Sequence, residues 1–141
     1  MKKELKYLLG IFFVSIILRS ILAFFIRSPT IFSDEYIYLK MAQSFFLDQN
    51  FLLNGVSVAK YPPLYSIIIS FFYLFGDVNF IYYIIKVFNA VLISSVIFPL
   101  YYIAKRYLDF KKAIFISLAA SFAAPYFIFN NFIMAENLYY P

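Results

Sequence analysis

Residues 62–76 read PPLYSIIISFFYLFG. Where this stretch sits decides how the rest of the chain is arranged. It is apolar enough to enter a membrane, but two prolines open it and a glycine closes it. Its fifteen residues would reach about 22 Å as a helix, whereas the hydrocarbon core of a bilayer is about 30 Å thick. The segment therefore reads as a re-entrant or juxtamembrane helix that does not cross fully.

Three longer apolar segments surround it, at 7–27, 79–106 and 111–129. Composition agrees with spans. The chain is 65% hydrophobic and 13% charged, against about 45–50% apolar and about 25% charged for a soluble domain. The first segment starts like a signal peptide, but its apolar run is longer and no small-residue cleavage pattern follows, so it reads as a retained span.

Sidedness comes from the basic residues. Lys2, Lys3 and Lys6 precede the first span, and Lys105, Arg106, Lys111 and Lys112 fill the short loop before the last. Short loops rich in Lys and Arg stay cytoplasmic. Both clusters inside requires an even number of crossings between them, so the short 62–76 segment is the one left out. This gives one outer loop, 28–78, holding helices at 34–48 and 62–76, with residues 130–141 starting a second outer loop. Four full spans, with the 105–112 loop outside, is the alternative. The charge of +5 follows this topology pattern and forms no continuous stripe, so no nucleic-acid partner is expected.

The 34–48 segment, DEYIYLKMAQSFFLD, reads as a helix lying on the membrane surface. Ser33 is a fitting N-cap, and Asp34 and Glu35 fall in the first turn. Tyr38, Met41, Ala42 and Phe45 share one face, and Glu35, Lys40 and Gln43 are assigned to another.

There is no cysteine and no histidine, which removes disulfides, thiolate and imidazole metal sites and any histidine-based triad. Chemistry must come from carboxylates, Lys, Arg, Tyr or backbone. An ionised Asp34 at a helix start can accept a hydroxyl proton as a general base; the plainer reading is a helix-start charge. Glu136, among apolar neighbours at the end of the last segment, is either a functional acid or a solvated interfacial one. Lys86 lies one to two turns into its span, where it snorkels or meets an anion such as a lipid phosphate. Lys60 and the adjoining Tyr61 lie in the outer loop, where Lys60 is otherwise a solvated lysine. Arg19, near the middle of the first span, needs a partner: a carboxylate or a lipid phosphate. The Tyr82–Tyr83, Tyr101–Tyr102 and Tyr139–Tyr140 pairs read as interfacial belts.

Taken in order, LRSILAFF, SDEYIYLKMAQSFF, YPPLYSIIISFFYLFG, FIYYIIKVFNA, YYIAKRYLDFKKA and MAENLYY resemble the N-terminal part of the GT-C superfamily of membrane glycosyltransferases. The branch they look most like contains the protein O-mannosyltransferases (dolichyl-phosphate-mannose-dependent) and the aminoarabinose transferases. The resemblance covers essentially the whole chain and rests on the order of the features, since no single motif is decisive.

The resemblance implies an all-α, polytopic transmembrane bundle in the cell membrane, with a cytoplasmic N-terminus and an extracytoplasmic active face. It implies an inverting transferase that takes sugar from a polyprenyl-phosphate carrier and delivers it to a protein or glycolipid acceptor hydroxyl among membrane lipids. Asp34 matches the family's catalytic acid, Glu35 its acidic neighbour, and Glu136 the acid of the next outer loop. Lys60, Tyr61, Lys86 and Arg19 are the candidate substrate-binding residues. Lys86 stands where the family usually has arginine, which loses the bidentate fork. Some members hold a divalent metal ion beside these acids, and no ligand set is assigned here. Family members are several times longer, so the chain is expected to be a fragment or truncated product that is inactive alone. The competing reading is a small multi-span transporter or interaction subunit without glycosyl transfer activity.

Overall fold

The computed structural model describes residues 2–26, 32–53, 55–58, 60–123 and 128–141. It is mostly helical, 74% helix with 3% strand. Helix α1 covers Lys2–Phe25, α2 Ser33–Asp48, α3 Pro63–Ser70, α4 Val78–Ser94, α5 Ile97–Ala104, α6 Phe110–Ser121 and α7 Glu136–Tyr139. Among the described residues two stretches, Lys3–Phe25 and Val78–Ala104, are long and apolar enough to cross a membrane.

Most of the α1 surface is apolar, yet the residues it buries are Leu8, Ser15, Arg19 and Ala23, on one helical face. That face packs on α4, where the Ser94 hydroxyl lies 3.1 Å from that of Ser15. The expected 79–106 span is interrupted. Pro99 has no N–H, and its ring crowds the carbonyl of Ser95 four residues back. The helix accordingly breaks at Ser95–Val96, between α4 and α5. Phe98 N–H donates to Ser95 O at 3.0 Å, a tighter turn than the α-helical one.

The 62–76 segment is indeed short. It forms α3 followed by a 3₁₀ turn, Phe71–Phe75, and packs along α2. Gly76, at φ 75°, takes the left-handed turn that stops it, and Asp77 then caps α4 by accepting from Phe80 N–H at 2.8 Å. An antiparallel hairpin, β1 (Leu52–Leu53) with β2 (Val56–Ser57), joins α2 towards α3. It is an addition to the all-α expectation.

Within the last expected span, 111–129, α6 runs from Phe110 to Ser121, about 18 Å, and Ile128 and Phe129 are helical again. Residues 124–127 within it, and residue 27 at the end of the first span, lie outside the described set. The expected second outer loop is not a free loop: Asn130, Asn131, Ile133, Met134, Ala135 and Asn137 are buried, and α7 packs against α4.

Among the described residues two separate cores result. One joins Tyr38, Ala42, Tyr65, Ile69, Ile81, Ile85, Ile133 and Ala135. The other joins Leu8, Ile97, Tyr101 and Ala113. In the second, the Tyr7 and Phe110 rings meet edge to face at 5.8 Å, and Lys105 pairs with Glu4. The N-terminal lysines and the 105–112 turn therefore share one end of the molecule, and Glu35 and residues 133–136 share the other.

Candidate functional site

The first turn of α2 sets the site. Ser33 begins the helix without capping it: Phe32 occupies the cap position, and the Ser33 hydroxyl reaches only Asp34, at 3.5 Å. Asp34 and Glu35 then point to different surroundings. Asp34 is half-exposed and accepts from the Tyr61 hydroxyl at 3.2 Å.

Glu35 is fully buried, on the face that also buries Tyr38 and Ala42. Its assignment to the polar face of α2 is therefore corrected. The spacing 35, 38, 42 follows one helical stripe, so the carboxylate is carried inward with the apolar residues. Its Oε1 accepts from Ile133 N–H at 2.9 Å and from the Tyr82 hydroxyl at 3.1 Å. A buried carboxylate needs such partners, and here they tie α2, α4 and the C-terminal segment together.

Lys86, on α4, is also fully buried. Its ammonium lies 4.3 Å from the centre of the Tyr82 ring and donates to Ile26 O at 2.9 Å. It interacts electrostatically with Glu35. A groove of about 650 Å³ opens above it, lined chiefly by Phe24, Leu39, Phe80, Tyr82, Tyr83 and Lys86. Its walls are apolar, with one cation at the base.

Glu136 approaches the same region from the C-terminal segment. It is half-buried, and among the described residues its Oε2 has no hydrogen-bond partner. Tyr38 reports on both acids. Burial, then Glu136, then Asp34 push its hydroxyl pKa up to about 12. The Tyr61 hydroxyl is raised as well, by burial and by its bond to Asp34. Asp34, Glu35, Glu136, Tyr61 and Lys86 are thus gathered at one end.

Two of the sequence candidates lie elsewhere. Arg19 is buried two turns before Ile26 on α1. It donates to the Ser15 hydroxyl at 3.3 Å and to Ser121 O at 2.6 Å, and stacks over the Phe122 ring at 4.8 Å. These contacts hold the C-terminus of α6, where carbonyls lack helical partners. Lys60 is exposed in the turn before Tyr61.

Further polar residues join this end without a motif to announce them. Tyr65 donates to Asn89 Oδ1 at 2.9 Å, while Asn89 and Asn137 both donate to Phe132 O, at 3.1 and 2.8 Å. Asn89 was the legible one: a polar amide inside an apolar helix needs an internal partner. Among the described residues no three His, Cys, Asp or Glu side chains cluster as ligands of a metal ion would. No family model, curated protein or solved structure matches the chain.

Proposed function

We propose that the chain is the N-terminal module of a polytopic membrane glycosyltransferase, which moves a sugar from a polyprenyl-phosphate carrier to an acceptor hydroxyl on the outer face of the membrane. The observation that carries this reading is an apolar groove lined by Lys86 and Tyr82, whose hydroxyl bonds Glu35, the residue next to the half-exposed Asp34. An apolar groove suits a polyprenyl chain, and an ammonium suits its phosphate.

In this reading the acceptor oxygen attacks the anomeric carbon from the side opposite the phosphate. The new oxygen–carbon bond forms as the bond from that carbon to the phosphate oxygen breaks. The hydroxyl proton passes to the Asp34 carboxylate, and the polyprenyl phosphate leaves with the bonding electron pair. Lys86 supports the charge on the leaving phosphate. An ammonium has three donors, and one is engaged by Ile26 O. Tyr61 holds Asp34 in place, Glu35 positions α2 against α4, and Glu136 adds negative charge near the acceptor side.

The test is transfer by the full-length gene product. Asp34→Asn should abolish transfer while membrane insertion persists, and Lys86→Met should weaken binding of polyprenyl phosphate by this chain. Full transfer by Asp34→Asn rejects the base assignment. A subunit without transfer activity is the second reading, favoured by the complete burial of Glu35 between elements; it requires that neither substitution alter sugar transfer.

A further inference from the structure

A second groove, of about 510 Å³, runs between α1 and α6 at the basic end of the molecule. Its lining includes Lys6, Gly10, Val14, Leu18, Leu118 and Phe122. From Lys6 to Leu18 it follows α1 for about 18 Å, a little over half the thickness of a hydrocarbon core of about 30 Å. Its depth is that of one leaflet. Gly10 leaves it open: a Cβ at that position would meet nothing within 4 Å.

The mouth is positively charged. Lys6 lines it, and the 105–112 turn with its four basic residues lies at the same end. The acids nearby are engaged, Glu4 with Lys105 and Asp109 with Lys112. Among the described residues no carboxylate pairs with Lys6.

We propose that this groove holds an acyl chain of an acidic phospholipid whose headgroup is bound by Lys6. Charge complementarity selects this occupant. A zwitterionic lipid brings no net charge to the mouth, and a two-fold copy of the chain would set Lys6 against Lys6. Basic pockets between helices at a membrane face attract anionic headgroups. The inference rests on α1 crossing the bilayer and not on sugar transfer.

The full chain, purified in detergent, would be examined by native mass spectrometry with phosphatidylglycerol or phosphatidylcholine of matched acyl chains. Preferential retention of phosphatidylglycerol is the expected result. Gly10→Phe fills the groove and should cut that retention about ten-fold. Lys6→Gln should cut it about five-fold and remove the preference over phosphatidylcholine. Circular dichroism keeps the test sharp, since both variants should retain wild-type helicity. Equal retention of the two lipids overturns the proposal. So does unchanged phosphatidylglycerol binding in both folded variants, or a stable dimer that Gly10→Phe dissociates. Release of the chain from membranes by alkaline carbonate would instead overturn the span reading on which the groove's lipid depends.

Discussion

At the end that carries the acids, side chains far apart in sequence meet in the interior. Glu35 bonds to residues 82 and 133, Tyr65 to Asn89, and the Tyr73 hydroxyl donates to Leu39 O at 2.8 Å. At the basic end, the core is four buried residues, and the charged contacts lie on the surface: Lys105 with Glu4, and Lys112 with Asp109 at 3.7 Å. Buried polar groups are costly to leave unpaired, whereas exposed ion pairs contribute little. The buried polar groups of the acidic end should therefore be sensitive to single substitutions, and the exposed ion pairs of the basic end tolerant of them.

The sharpest way to break this contrast is Glu35→Ala. It removes the acceptor for Tyr82 and Ile133 and the nearby negative charge for Lys86. We expect a loss of about 2–4 kcal/mol in unfolding measured in detergent micelles. A loss no larger than that of an exposed substitution would make Glu35 a passive residue and remove the contrast. Ile69→Ala and Ile85→Ala empty fully buried positions of the same core and should each cost about 2–4 kcal/mol.

Alkali should act on the acidic end first. Tyr38 is pushed up to about 12 by burial, Glu136 and Asp34, and Tyr73 to about 12 by burial. An unfolded tyrosine ionises near pH 10. A raised folded value means the stabilisation is complete below about pH 10 and is lost as the pH climbs towards 12. The melting midpoint should fall across that window, and fall less in Tyr38→Phe. A midpoint that stays flat to pH 12 contradicts the burial of these hydroxyls. Tyr65→Phe, which removes the bond to Asn89, should cost about 1 kcal/mol. The smallest effect belongs to Lys105→Ala at the basic end, where the unfolding midpoint should match the wild type, most closely at high salt.

Much of this contrast was legible in the sequence. Basic residues at 2–6 and 105–112 implied a shared end, and the short 62–76 segment, with Pro62 and Gly76 at its limits, implied a helix that stops early. The break at Ser95–Val96 was also written there, in Pro99, but a continuous apolar run hid it. The hairpin had its signal too: an Asn-Gly dipeptide in the sequence is a common mark of a tight hairpin. Glu35 was misplaced because its charge was read ahead of its position on the 35, 38, 42 stripe. Its partners on α4 and near residue 133 depend on tertiary packing, which periodicity does not encode. Arg19 announced its need for a partner but not its identity. That partner includes a helix-end carbonyl, Ser121 O, a backbone group with no residue-type signal.

A transferase of this kind needs the acidic end facing outward and the basic turn facing the cytoplasm. The chain has no native cysteine, so single substitutions report cleanly. Ser33→Cys and Lys111→Cys, both at exposed positions, would be treated in intact cells with a membrane-impermeant maleimide. The account predicts labelling at position 33 from outside, and labelling at position 111 only after the membrane is opened. Labelling of position 111 in intact cells, with position 33 protected, would contradict it.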